Sequence, residues 1–360
     1  MNFVSESLSA WGRIAAAAAQ GQPVVIYGTG NGADKIIDFC EEKHIAVAGI
    51  FASDGFCHGK LFRGIRVESY GDITARLGRD FLLVIGFASE LPEVLNRFRE
   101  LDKLHPTVAP HLGLYCEENL DGAWLKHYEG ELQAAHALLG DELSKKVFWD
   151  MLNYKFSGRL HYLFDHATKR KDDLRLLQLT ERETYYDLGA YDGDTVREFL
   201  QATDNRYSHI AAVEPDAKNF SKLQLFAAAL DPARITTVNA AIWHEEGNIA
   251  FTNQSGRAAH ISTGQKSVPV AATTIDRLST VTSTFPSYIK MDLEGCEKEA
   301  LQGGAVTIRR HKPKLLLAGY HYNEDLFKIP ILLQQMRPDY RIYLRKHAYV
   351  PDWEINFFAI

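Results

Sequence analysis

Three carboxylates crowd one glycine turn in the second half of the chain, Tyr186-Asp187-Leu188-Gly189-Ala190-Tyr191-Asp192-Gly193-Asp194-Thr195. A glycine-rich turn after a buried strand lets a ligand approach the backbone at a helix N-terminus. The charge around the turn decides which ligand. A pyrophosphate wants bare amides and the positive end of a helix dipole, and Asp187, Asp192 and Asp194 would repel it. They suit a ligand that carries positive charge and hydroxyls, while one of Asp192 and Asp194 is also well suited to cap the following helix. Glu214, in Ala212-Val213-Glu214-Pro215, follows Asp187 by 27 residues at the end of the next strand. A carboxylate there can accept both hydroxyls of a ribose. S-adenosylmethionine has a sulfonium, an ammonium and a ribose but no phosphate, and it fits both carboxylate positions. The Asp spacing does not match an EF-hand loop.

A second glycine turn lies near the N-terminus, Gly28-Thr29-Gly30-Asn31-Gly32-Ala33. It carries no acid and resembles an incomplete dinucleotide fingerprint, with alanine where the last glycine would stand. Asp54 follows Gly28 by 26 residues, about the distance expected for a ribose-binding acid. Gly28, Gly30, Gly32 and Asp54 are therefore candidates for a nucleotide site, which would make this half an NAD(P)- or sugar-nucleotide-binding oxidoreductase or sensor module. The alternative is that these glycines only let strand and helix pack closely.

Both turns require α/β scaffolding. Pro23–Gly28, Ala46–Phe51 and Phe81–Gly86 are short, continuously apolar runs separated by helical patterns, as in parallel βαβ units buried on both faces. Residues 1–116 read as a small Rossmann-like domain. From 117 to 180 only helical spacing occurs, as in Leu132, Ala135, Leu138 and Leu139, which implies a helical connector. Residues 181–360 supply seven strand candidates: Thr184–Leu188, Ile210–Glu214, Ile235–Asn239, Tyr288–Asp292, Lys314–Tyr320, Tyr340–Arg345 and Glu354–Ile360, the last two pairing at the C-terminus. Composition is consistent with two globular domains. The chain has 360 residues, 46% of them hydrophobic and 24% charged, with a net charge of −6 spread evenly over both halves. No basic surplus or basic block marks a nucleic-acid partner. The four cysteines have neither CxxC nor disulfide-dense spacing, which fits a reducing, cytoplasmic setting. No apolar run approaches the ~20 residues of a membrane span.

Five ordered blocks then carry a resemblance. The runs DLGAYDGDT, VEPDAKNF, VNAAIWHEEGNIAF, YIKMDLEGCEKEALQGG and KLLLAGYH, within residues 183–321, resemble the FkbM-type family of S-adenosylmethionine-dependent methyltransferases. Tyr191, where that family usually has a small polar residue, and Cys296 depart from its pattern. The resemblance implies a seven-stranded Rossmann-like methyltransferase sheet, with S-adenosylmethionine as cofactor and a sugar or natural-product hydroxyl as acceptor. It implies that Asp187, Gly189, Asp192 and Gly193 line the methionine half of the cofactor, with Thr195 at the helix start. Glu214 would take the ribose and Asn219 would help hold that edge, while Asn239 and Ala240 would lie against the adenine.

The reacting groups are expected at the carboxyl ends of strands. Lys290-Met291-Asp292-Leu293-Glu294-Gly295 ends the fourth strand candidate and Tyr320-His321 the fifth. Period-two alternation places Lys290, Asp292 and Glu294 on one side if the strand persists that far. In the methyltransferase strand order these two strands are neighbours, so Asp292, Glu294 and His321 could converge. His321 is the expected general base, its ordinary pKa lying near working pH, and Asp292 would hold the cofactor ammonium. Three such groups could also bind a divalent ion, but on proximity alone, and no metal is assigned. Arg257 and His260, in a polar excursion between the third and fourth strands, are weaker candidates for substrate contacts. His244-Glu245-Glu246 is not an HExxH motif.

Overall fold

A computed structural model of the chain describes residues 3–53, 55–56, 59–113, 120–252 and 267–360. Asp54, Arg257 and His260 lie outside the described residues. The chain forms two compact units. The first contains residues 1–130, 142–169 and 346–355, and the second residues 131–141, 170–345 and 356–360. Within the stretch expected as a helical connector, the described residues 120–180 contain the helices Gly122–His127, Glu129–Leu138, Glu142–Ser157, His161–Phe164 and Arg170–Asp173, divided between the units.

The first unit is built on a six-stranded sheet. Its strands are β1 (Val24–Tyr27), β2 (Val47–Phe51), β3 (Leu61–Phe62), β4 (Ile65–Glu68), β5 (Leu82–Ile85) and β6 (Thr107–Val108), in the order β3-β4-β2-β1-β5-β6. Every residue of β1 and β5 is buried, as expected for central parallel strands covered on both faces. Ile26, Ile36, Ile50 and Val84 belong to one apolar core. In this unit two glycines of the N-terminal turn, Gly28 and Gly32, have packing roles. A side chain at Gly28 would meet the Phe87 ring, and one at Gly32 would come within 2.6 Å of the Gly86 carbonyl oxygen, whereas Gly30 faces open space. The same unit buries a knot of charge: Asp352 lies 2.8 Å from both Lys155 and His111. Burial opposes the Asp352 carboxylate, but these two partners hold its pKa well below the usual range.

The second unit contains the seven-stranded sheet. Its strands are β7 (Thr184–Leu188), β8 (His209–Val213), β9 (Ile235–Val238), β13 (Tyr288–Met291), β14 (Lys314–Ala318), β15 (Ile342–Lys346) and β16 (Ile355–Ala359). The order is β15-β16-β14-β13-β7-β8-β9. The five strands from β14 to β9 pair in parallel and β16 runs antiparallel to β14. The order reverses direction between β7 and β13, the place where open α/β sheets bind ligands. Between β9 and β13 lies a three-stranded sheet of β10 (Ala241–Ile242), β11 (Gly247–Thr252) and β12 (Ser267–Thr273), ordered β10-β12-β11. The sequence reading treats this stretch as a polar excursion. Its strands escape notice because Asn248, Ser267 and Pro269 interrupt the apolar alternation that marks a strand. Among the described residues no helix is long and apolar enough to cross a membrane.

Glu183 ties together the leading ends of β7, β13 and β14. It accepts hydrogen bonds from the Thr180 amide at 2.9 Å, from Lys314 Nζ at 2.7 Å and from the Ser287 hydroxyl. Burial opposes its charge, yet these donors hold its pKa below the ordinary 4.5. A carboxylate with a depressed folded pKa stabilises above its unfolded value, and that stability is lost as pH falls through the folded value. We expect Glu183→Gln to destabilise the fold by about 2–3 kcal/mol at pH 7, read by chemical denaturation. The gap between variant and parent should shrink below pH 4.5. A gap that stays constant down to pH 3 would refute the charge assignment.

Candidate functional site

The acidic turn follows β7 directly. Gly189 adopts φ +81°, and a Cβ there would collide with the Asp292 carbonyl oxygen at the end of β13. Only glycine allows the turns after β7 and β13 to approach so closely. The Gly189 and Ala190 amides both donate to the Val213 carbonyl, at 3.0 and 2.9 Å, which joins the turn to the end of β8. The chain then passes through Tyr191 (φ +47°) and Gly193 (φ +91°) into the helix Asp194–Ala202.

Asp187 is completely buried. Its Oδ2 accepts a 2.6 Å hydrogen bond from the Thr195 hydroxyl. Its Oδ1 lies 3.4 Å from Lys290 Nζ and accepts no hydrogen bond among the described residues. Lys290 is also buried and donates to the Gly189 carbonyl at 2.8 Å. Burial opposes its ammonium, but Asp187, Asp292 and Asp194 outweigh burial and raise its pKa. Lys290 thus joins β13 to the turn after β7.

Glu214 stands at the end of β8 with both oxygens anchored. Oε2 accepts from the Tyr191 amide and Oε1 from the Asp216 amide, each at 2.9 Å. Burial pushes its pKa up to about 7, against the pull of those two amides. Each oxygen retains lone-pair capacity for a hydroxyl donor. Asn239 serves this edge indirectly. Its amide donates to the Glu214 and Pro215 carbonyls at 2.8 and 3.1 Å, which fixes the backbone that carries the carboxylate. Asn219 is half-buried in the first turn of the helix Ala217–Ala227, where its amide donates to the capping Asp216 carboxylate. Ala240, next to Asn239 in sequence, is buried after β9. Asp192 accepts from Arg197 at 3.1 Å, and Asp194, the first helical residue, accepts from the Thr195 amide at 2.8 Å.

The second group gathers on the other side of the switch point. β13 ends at Met291 and β14 at Ala318, so Asp292, Glu294 and His321 stand on turns rather than strands. Strand alternation therefore stops before Glu294, which adopts φ +53° ahead of Gly295 at φ +94°. This turn brings Asp292 and Glu294 to the same ring nitrogen. His321 Nε2 lies 3.4 Å from Asp292 Oδ1 and 3.6 Å from Glu294 Oε2. Lys290, grouped with them by period two, instead faces Asp187. His321 is completely buried. The sequence reading missed its most intimate partner, Glu297, whose Oε1 is 3.1 Å from His321 Nδ1. Glu297 opens the helix Glu297–Gly303 and also accepts from the Leu293 amide at 2.7 Å. The spacing Asp-x-Glu-Gly-x-Glu was its only sequence signal. Burial alone would lower the His321 pKa, but Glu297, Asp292 and Glu294 outweigh it and push the ring up to about 10. The ordinary value assumed from sequence does not hold in these surroundings.

Comparison with known proteins agrees with this geometry. Residues 187–351 match the model of the methyltransferase FkbM domain. No curated protein matches the chain. Among solved structures, the methyltransferase FkbM from Methylobacillus flagellatus KT has a similar fold. It gives a TM-score of 0.71 at 22% identity, covering 96% of this chain and 93% of that one. The precorrin-6y C5,15-methyltransferase from Geobacter metallireducens GS-15 matches at a TM-score of 0.35 and 12% identity, over 53% of this chain and 86% of its own. The acidic turn from Asp187 onward and the ends of β7 and β13, where the sheet order reverses, thus lie within the stretch, residues 187–351, that matches the methyltransferase FkbM domain model.

Proposed function

We propose that the second unit transfers a methyl group from S-adenosylmethionine to a hydroxyl of a sugar or natural-product acceptor. The observation that carries this reading is the pairing of two buried carboxylates at the ends of adjacent strands, Asp187 and Glu214. Glu214 is held by two backbone amides, and Asp187 Oδ1 has the Lys290 ammonium 3.4 Å away. Both Glu214 oxygens retain lone-pair capacity for hydroxyl donors, so the residues present fit the proposed cofactor. Asp187 and the Gly189 turn would hold its methionine half and Glu214 its ribose.

When bound, that cofactor supplies a methyl carbon to which the acceptor oxygen bonds as the carbon–sulfur bond breaks, the sulfur keeping the electron pair. The chain's own part is to align the acceptor and to remove one proton. Asp292 and Glu294 expose 36% and 30% of their side chains, whereas His321 behind them exposes none. The two carboxylates can touch an acceptor hydroxyl and take its proton, and His321 with Glu297 fixes where they stand. Tyr320 contributes by donating to both oxygens of Asp292 at 3.3 Å.

The test is calorimetric titration of the full chain with S-adenosylmethionine and, separately, with NADH. Binding of the first is expected. Binding of NADH alone would move the function to the N-terminal glycine turn. Glu214→Gln should weaken S-adenosylmethionine by about 1–3 kcal/mol, since a carboxylate accepting hydroxyls is replaced by an amide with one acceptor. Unchanged affinity would remove the ribose assignment. A pH series supplies a further check. Free Glu214 titrates at about 7, and the ionised form is the better acceptor. Affinity should therefore rise with pH through 7 and level off above it, and Glu214→Gln should flatten that rise.

A further inference from the structure

We propose that the solvent-facing side of two helices in the second unit, Ile275–Thr282 and Ala305–His311, is a docking surface for an anionic lipid bilayer. The two helices lie side by side. Asp276, at the start of the first, accepts hydrogen bonds from the Val306 and Thr307 amides at 3.2 and 2.7 Å. The Ser279 and Thr307 hydroxyls stand 3.4 Å apart. Past the first helix, Phe285 stacks on His311 at the end of the second, with ring centroids 4.1 Å apart. Ile275, Leu278, Thr307 and Ile308 are buried. The exposed positions recur at helical spacing, Arg277, Thr280 and Val281 on one helix and Val306, Arg309 and Arg310 on the other.

This face is apolar and cationic at once. Val281, Phe285 and Val306 expose 58%, 55% and 64% of their surface. Folding gains nothing from apolar surface left in water, and a grouping of it marks an interaction site. Asp276 is the sole acid of either helix, and its oxygens are occupied by the two amides. Arg277 is matched by Glu246 and Lys312 by Asp339, each at 3.3 Å. Arg309 and Arg310 have no acidic partner among the described residues. Two positive charges therefore stand unmatched beside three exposed apolar side chains.

That combination selects the occupant. The hot spot of a protein interface seats an anchor in a well-packed pocket, whereas these apolar side chains are each more than half exposed, among cations. Each can sink into the headgroup–acyl boundary of a bilayer while the long arginines reach lipid phosphates. Among the described residues no helix is long and apolar enough to cross a membrane, so the attachment is a peripheral one. The face carries none of the proposed cofactor or acceptor groups, and it stands or falls apart from the methyltransferase reading.

The probe is flotation of the full chain with phosphatidylcholine vesicles containing about one-quarter phosphatidylglycerol, against phosphatidylcholine alone. Wild type should float with the anionic vesicles only, and about 0.5 M NaCl should release it. The double variant Arg309→Gln/Arg310→Gln should bind about 25-fold more weakly, and Phe285→Ser about 10-fold. Circular dichroism checks that both variants fold. Leu225→Ser removes an exposed apolar side chain from the helix Ala217–Ala227 and should bind as wild type does. Absence of flotation, equal flotation with both vesicles, or wild-type binding by either folded variant would overturn the proposal. Binding of a poly-glutamate peptide without vesicle binding would overturn it in favour of an acidic protein partner. Variants that lose the vesicles should still bind S-adenosylmethionine as wild type does. If no sample binds that cofactor while wild type floats, the methyltransferase reading fails and the docking surface is upheld.

Discussion

A buried ion pair joins the carboxyl ends of β7 and β13. Lys290 Nζ lies 3.4 Å from Asp187 and donates at 2.8 Å to the Gly189 carbonyl. Burying two such charges costs several kcal/mol per ion, and their attraction offsets that cost only with good geometry and further hydrogen bonds. Thr195 supplies one of those bonds. The pair contributes position more than stability. It sets how far the acidic turn stands from the turn after β13, and the Gly189–Asp292 approach depends on that distance. The proposed cofactor-binding edge and the carboxylate cluster around His321 are therefore parts of one framework at the switch point.

The two turns manage negative charge differently. In the first, backbone amides do most of the work: those of Tyr191 and Asp216 support Glu214, and that of Thr195 supports Asp194. Carboxylates held this way need no counter-ion and stay available to a ligand. In the second, three carboxylates converge on one imidazole, and the turn through Glu294 and Gly295 forces that convergence. Nothing comparable occurs in the charged knot of the first unit. There Asp352 sits between Lys155 and His111, so its charge is matched locally and closed off from water.

The seven strands of the large sheet and β1, β2 and β5 of the six-stranded sheet were legible, because buried strands leave continuous apolar runs, whereas the short β3, β4 and β6 were not. Thr184–Leu188 matches residue for residue, and the other six strands of the large sheet differ only at their ends. Those ends mattered for the site. Alternation was extended past Met291, which grouped Lys290 with Asp292 and Glu294, whereas the positive φ of Glu294 could not be read from a side-chain pattern. Glu297 went unnoticed because a glutamate in the first turn of a helix ordinarily serves the helix dipole. Here it is buried against a histidine 24 positions later, a contact made by tertiary packing. The acidic turn and Glu214 were legible because charge and spacing are properties of the chain itself. The Asn239 role was not, since a side chain that holds a backbone carbonyl has no signature distinct from one that faces a ligand.

The division of the chain also bears on its evolution and dissection. The first unit takes residues 346–355 from between the last two strands of the large sheet, and the second takes 131–141 from between two helical stretches of the first. The backbone therefore passes from one unit to the other five times. Beads joined by a single tether can be exchanged by recombination at that tether, but here no single breakpoint yields two intact halves. A fragment beginning near residue 181 would contain the entire acidic turn and the His321 cluster, yet its last hairpin would carry a loop that belongs to the missing unit. A cut at any one of the five passages separates residues that pack within the same unit.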